Sequence, residues 1–139
     1  MSDESLQELI EIAKAARLHS VAPFSNFLVG AAVRTTAGNV YTGCNVESAS
    51  YGLTVCGERV AIWKALSEGE RDFSELAIVA DTDSLTPPCG TCRQIIWEFC
   101  KNAKLVLSNL EGKTQECSIK ELLPRAFDAR FLSGARKES

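Results

Sequence analysis

Three cysteines in two short segments constrain this chain more than any other feature. They are Cys56-Gly57-Glu58 and Pro88-Cys89-Gly90-Thr91-Cys92, with 32 residues between Cys56 and Cys89. Each segment stands where hydrophobic periodicity predicts a helix to begin, so its thiols meet free N–H groups and a positive dipole end that favour thiolate over thiol. Taken alone, Cys89 and Cys92 suit a redox pair or half of a structural zinc site equally well. Cys56, Glu58 and Pro88 shift the balance. A catalytic zinc takes three protein ligands plus a water, and here the ligand count is three. A glutamate two residues after the first ligand would hang beside the fourth, open position, where a proton carrier belongs. Arg59 and Arg93, adjoining Glu58 and Cys92, stand where they can donate hydrogen bonds to the sulfurs as outer partners, Arg59 first.

The order of elements says whether the sulfurs can meet. Leu6, Leu9, Ile10, Ala13 and Ala16 follow helical spacing, with Ser5 and Glu8 as a capping box, so a helix is predicted over about 5–19. Phe27 to Thr35 and Val40 to Cys44, joined by Thr36-Ala37-Gly38-Asn39, read as an antiparallel hairpin. Residues 45–55 read as a loop that can carry function, followed by a helix from Cys56 to about Leu66. Glu75 to Ala80 is short and nearly all apolar, which predicts a central strand buried on both faces. A helix from Gly90 to Lys101, strands at Leu105–Leu107 and Thr114–Cys117, and a helical turn at Ile119–Leu123 complete the pattern. Residues 134–139 are expected to fray. The order α-β-β-α-β-α-β-β-α predicts an α/β sheet with helices on its faces and parallel neighbours at each βαβ crossover. If the strands preceding the two cysteine-bearing helices are neighbours, both helix N-termini open at one edge and the sulfurs converge.

Composition excludes several functions. The 139 residues suit one domain, and Lys plus Arg number 15 against 18 Asp plus Glu, for a net charge of -3. No basic block is present to grip a polynucleotide, so nucleic acid is not expected as a partner. No stretch has the roughly eighteen uninterrupted apolar residues of a membrane span, and no secretory leader is read at the start, which predicts a soluble cytoplasmic protein with reduced thiols.

At this point the chain resembles the zinc nucleobase deaminases, whose signature is a His- or Cys-x-Glu followed by Pro-Cys-x-x-Cys. Beyond that core, Phe27-Leu28-Val29-Gly30-Ala31-Ala32, Asn45-Val46-Glu47 with Ala49-Ser50-Tyr51-Gly52, Cys89-Gly90-Thr91-Cys92-Arg93-Gln94 and Leu122-Leu123-Pro124 with Phe127 are similar to the small homotetrameric cytidine deaminases. The resemblance runs over roughly residues 5 to 130. It implies a three-layer α-β-α sandwich around a mixed five-stranded sheet, one domain over 1–139 whose tail from about 125 contacts a neighbouring subunit, and one Zn2+ per chain on Cys56, Cys89 and Cys92. It implies Glu58 as the catalytic acid and base, Asn45 and Glu47 on the ribose hydroxyls, Phe27 against the pyrimidine and the Gly57 N–H within reach of the pyrimidine carbonyl. Ala49, Tyr51 and Phe127 would complete a neighbour's site. The implied activity is hydrolytic deamination of cytidine and 2'-deoxycytidine in pyrimidine salvage. The sequence departs from the family in having Gly57 where Ala is common and Phe24 where Tyr is usual.

Plainer readings stand beside these. Without the resemblance, Asn45 and Glu47 read as loop solvation and Phe27 as core. Cys44, Cys100 and Cys117 read as buried apolar residues. His19, the lone histidine, is left out of the site, and Trp63 and Trp97 are read as packing. The competing functions are deamination of another aminopyrimidine, such as a nucleoside antibiotic or free base, and a zinc-stabilised interaction module. Glu58 argues against the module, because a structural site has no use for an unliganded carboxylate.

Overall fold

The computed structural model describes residues 3–133. Helix α1 (Asp3–Ala16) opens the chain, and a tighter 3-10 turn, Arg17–His19, ends it. Leu9 and Ala13 are fully buried on its inner face, as their spacing predicts. The start differs from the expected cap. Asp3 is already helical, so Ser5 lies inside the first turn, and its hydroxyl accepts a hydrogen bond from Arg34 Nη1 at 2.7 Å. The same guanidinium nitrogen lies 2.5 Å from Glu75 Oε1, an ion pair sealed beneath α1. A charge buried there without its partner would be costly, which fixes α1 to the sheet.

Strands β1 (Val29–Thr35) and β2 (Val40–Cys44) form the predicted hairpin, turning through Gly38 at φ 95°. The first strand begins two residues later than its apolar pattern suggests. Asn45 takes up the local backbone instead: its Nδ2 donates to the Phe27 carbonyl and its Oδ1 accepts from the Val29 N–H. Helix α2 (Gly57–Ser67), strand β3 (Phe73–Ala80), helix α3 (Gly90–Phe99) and strands β4 (Lys104–Ser108) and β5 (Thr114–Cys117) follow, close to their predicted spans. Two short helices end the described chain, α4 (Ile119–Leu122) and α5 (Ala129–Ser133). The last has no counterpart in the sequence reading. Residues 134–139, expected to fray, lie outside the described residues.

The sheet order is β2-β1-β3-β4-β5, with β3 and β4 parallel and every other pair antiparallel. It is the mixed five-stranded sheet of the expected α/β class. Helix α1 packs on one face through Ala32, Ala77 and Val79. On the other face Ala61 and Ile62 of α2 and Ile96 of α3 meet Ala31, Val33, Leu76 and Ile78. Three layers result. The two cysteine-bearing helices follow β2 and β3, which are not neighbours as the convergence argument required, because β1 lies between them. Both run antiparallel to β1 and therefore parallel to each other, so their C-terminal ends share one edge. The conclusion survives the failure of its premise. Among the described residues no helix is long and apolar enough to cross a membrane.

Candidate metal centre and active site

Cys56 is the N-cap of α2 and Cys89 the N-cap of α3, where Cys89 Sγ accepts from the Cys92 N–H at 3.5 Å. Helix starts therefore aim all three sulfurs at one point. Cys56 Sγ is 3.6 Å from Cys89 Sγ, Cys89 Sγ is 3.3 Å from Cys92 Sγ, and all three lie within 4.8 Å of one another. Two sulfurs on a tetrahedral zinc, with Zn–S near 2.3 Å, stand about 3.8 Å apart, so the spacing and the soft donor set both fit that ion. None of the three is in a disulfide. Among the described residues this is the one cluster able to hold a metal, and Cys100, buried in the core, takes no part in it.

Crowding polarises the thiols. Cys56 is pulled down to about 5 by the hydrogen bond it shares with Cys92, with further help from Arg59, while Cys92 is pushed up by that same bond and by desolvation. Arg59 reaches the sulfur as expected, its Nη2 lying 3.8 Å from Cys56 Sγ. Arg93 does not. Its Nε donates to the Pro88 carbonyl at 2.8 Å and its Nη1 to the Leu122 carbonyl at 2.9 Å, so it struts the loop before Cys89 against α4 rather than touching sulfur.

Glu58 sits in the first turn of α2, only 4% exposed, and burial pushes its carboxyl up to about 7. A carboxyl poised there exchanges protons near neutrality, as a general acid or base must. It opens on a cavity of about 290 Å³ that also receives Phe27, Asn45, Glu47, Gly57, Cys56 and Cys89. The structure thus gathers the sequence-derived residues of one chain. Sequence reasoning missed Ser25, Thr54, Val55, Ile78, Thr86 and Pro87, which complete the wall. Thr54, Val55, Thr86 and Pro87 adjoin the cysteine motifs in sequence, Ser25 stands in the aromatic-Ser-x-Phe pattern Phe24-Ser25-Asn26-Phe27, and Ile78 carries no signal beyond its place in a buried strand.

Ala49, Tyr51 and Phe127 do not line this cavity. Tyr51 is exposed and meets Phe24 edge to face at 6.4 Å, and Phe127 is exposed and stacks on Phe131 at 5.8 Å. Other expectations need correcting. Trp63 is half exposed beneath the Arg59 guanidinium instead of in the core, since the sheet-facing positions of α2 are taken by smaller residues. Of the three remaining cysteines only Cys100 is fully buried, Cys44 and Cys117 being half-buried.

Comparison with known proteins supplies relatives. The family model described as "Cytidine and deoxycytidylate deaminase zinc-binding region" matches residues 3–108. A cytidine deaminase of Halalkalibacterium halodurans is 51% identical over 128 residues, 91% of this chain and 97% of that protein. One from Sporosarcina psychrophila is 45% identical over 134 residues, 96% of this chain and 98% of that one. The crystal structure of cytidine deaminase from Burkholderia pseudomallei superposes with a TM-score of 0.85 at 46% identity, covering 91% of this chain and 100% of the other.

Proposed function

The chain belongs to the cytidine and deoxycytidylate deaminase family, and from that premise we propose that it hydrolyses the 4-amino group of cytidine and 2'-deoxycytidine. The products are uridine or 2'-deoxyuridine and ammonia, and the role is salvage of free pyrimidine nucleosides in the cytoplasm. The observation that carries the reading is the burial of Glu58 in the same cavity as Cys56 and Cys89, with the Phe27 ring and the polar pair Asn45 and Glu47 also in its lining. A purely structural metal site would not spend a desolvated carboxyl on that position.

Cys56, Cys89 and Cys92 would hold one zinc ion, which when bound supplies a water acidic enough to act as nucleophile near neutral pH. The chain's own residues do the rest. Phe27 offers its ring to the flat base, and the Gly57 N–H donates to the pyrimidine carbonyl, so C4 is turned toward the sulfurs. Asn45 and Glu47 receive the sugar hydroxyls. Glu58 takes a proton from the attacking water and gives it to ring N3 as the water oxygen bonds to C4. It then takes the remaining proton of the new C4 hydroxyl and passes it to the amino group, which leaves as ammonia when the C4–N bond breaks. One carboxyl serves as base and then as acid, which suits a group poised near 7. Ala49, Tyr51 and Phe127 would complete a neighbouring subunit's site in a homotetramer, in keeping with their absence from the lining of the cavity in their own chain.

The test is Glu58→Gln, assayed by ammonia release beside zinc content and thermal unfolding. Zinc and fold should be kept while turnover falls by about a thousandfold or more. Activity within a few fold of wild type would remove Glu58 from the mechanism. Release of ammonia from cytosine but not from cytidine would remove the sugar-binding assignment.

A further inference from the structure

Ser25 and Phe27 line the cavity, and the segment Phe24 to Phe27 that presents them as its rim has a conformation that needs support. Asn26 has φ 60°, in the left-handed region that asparagine tolerates better than most residues but still at a cost. The support is a set of hydrogen bonds made by three side chains, Glu47, Ser25 and Asn45. Phe24 and Ser25 donate their backbone N–H groups to Glu47 Oε1 at 3.0 and 3.1 Å. The Ser25 hydroxyl donates to Glu47 Oε2 and accepts from the Phe27 N–H at 3.0 Å. From the opposite side Asn45 Nδ2 holds the Phe27 carbonyl at 2.7 Å.

We propose that Ser25 is a positioning residue for the deamination: its single oxygen joins the carboxylate on the sugar side to the backbone of the aromatic residue on the base side. The two halves of the substrate then meet one rigid unit. This rests on the reading of Phe27 and Glu47 given above, and it changes what Glu47 does. The carboxylate anchors the rim through Ser25, so part of the loss on removing it comes through the displaced ring rather than through the sugar. An O–H to carboxylate bond is among the strong hydrogen bonds, and a rim ordered beforehand loses less freedom when substrate binds. The charged form of Glu47 is held by the Ser25 hydroxyl first and by the two N–H groups next, in keeping with this anchoring role. Ser25 is exposed, so altering it leaves the core intact.

The experiment compares Ser25→Ala and Ser25→Thr with wild type, all zinc-loaded, on cytidine and on 2',3'-dideoxycytidine, which keeps the base and lacks both ring hydroxyls. Ser25→Ala should raise KM by about tenfold for both substrates with a smaller change in kcat, and Ser25→Thr, which retains the hydroxyl, should restore wild-type values. An equal penalty on the two substrates is the signature of a displaced rim. A rise for cytidine alone would mean that Ser25 serves the sugar directly, a fall in KM would mean that it competes with substrate, and either result, or no change, overturns the proposal. Hydrogen exchange at the Phe24, Ser25 and Phe27 amides of the substrate-free protein gives a second readout. Those amides should exchange about tenfold faster in Ser25→Ala while β3 is unaffected, and equal rates would also overturn it. If the rim loosens but wild-type protein does not deaminate cytidine, the functional reading falls and the anchoring one stands.

Discussion

Arg59 sets its Nη2 between two acceptors, 3.8 Å from Cys56 Sγ and 3.3 Å from the Thr54 carbonyl oxygen, and lays its guanidinium over Trp63 at 5.6 Å from the ring centroid. The ring and the carbonyl hold the cation in place, and the sulfur receives its charge. Three thiolates holding a doubly charged zinc would leave the centre at minus one overall, and the fixed guanidinium would offset that excess. Arg59→Met, which keeps the apolar stem, should weaken zinc retention by about tenfold to a hundredfold in competition with a chelator. Arg59→Lys should recover part of the loss, because an ammonium brings the charge without the planar fork. Zinc retention unchanged in both variants would show that the sulfurs do not depend on this cation.

Half of the cysteine cluster was legible in the sequence because its geometry is local: a helix start and a chelating spacing place Cys89 beside Cys92, whereas the approach of Cys56 depends on the sheet order, in which β1 separates β2 from β3. The sheet was legible for a similar reason, since apolar runs such as Leu76 to Ala80 and turn residues such as Gly38 act over a few positions. What the sequence hid is what depends on distant partners. Ser5 looks like a cap until Arg34, from the next element, claims its hydroxyl. Arg93 looks like a sulfur ligand's partner until the Leu122 carbonyl, supplied by α4, is placed beside it. Neither outcome is written in the spacing. Phe27 reads as strand core, and only the Asn45 amide on its carbonyl shows why the strand starts after it.

Gly43 and Gly90 separate a glycine required by packing from one that is not. A Cβ on Gly43 would stand 2.3 Å from the Gly57 carbonyl oxygen and 2.4 Å from the Ala61 nitrogen, both backbone atoms of the helix that carries Glu58. Neither can yield without moving α2 off the sheet. Gly43→Ala should cost about 3 kcal/mol and lower the melting temperature by roughly 10 °C. A Cβ on Gly90 meets nothing within 4 Å, at the first residue of α3. Gly90→Ala should therefore be neutral or stabilising by up to about 1 kcal/mol through helix propensity. Calorimetry on the two variants checks the contrast, and equal melting temperatures would sink it.

Asp128 ties α5 to α3 and gives the stability an acid limb. Its carboxylate accepts from Arg130 Nε at 2.8 Å and from the Trp97 indole N–H at 2.9 Å, and these bonds, that of Arg130 first, hold its pKa well below the usual carboxylate value. A depressed folded-state pKa contributes stability that is fully present above the unfolded value of about 3.9 and is lost as pH falls from there through the folded value. Wild type should therefore exceed Asp128→Asn in urea stability at pH 6, and the gap should close progressively below about pH 4. A gap that persists unchanged to pH 2 would mean that the carboxylate charge contributes nothing.

The family description names both cytidine and deoxycytidylate, and the charge around the cavity gives a physical ground for predicting which this chain prefers. Among the described residues no lysine, arginine or histidine lines it, while Glu47 and Glu58 do. Glu47, whose pKa is lowered by the Ser25 hydroxyl, stays ionised across the physiological range and stands on the sugar side of the proposed binding mode. A 5'-phosphate brings nearly two negative charges and three oxygens that need donors or a cation, and it would find a carboxylate instead. Deoxycytidine 5'-phosphate should therefore be deaminated with a kcat/KM at least about a hundredfold below that of deoxycytidine, measured by ammonia release on the same zinc-loaded preparation. Most of the deficit should lie in KM and shrink as salt screens the repulsion. Comparable efficiency for the two substrates would require a cation supplied from outside the described residues or from a second copy, and the prediction of nucleoside preference would fail.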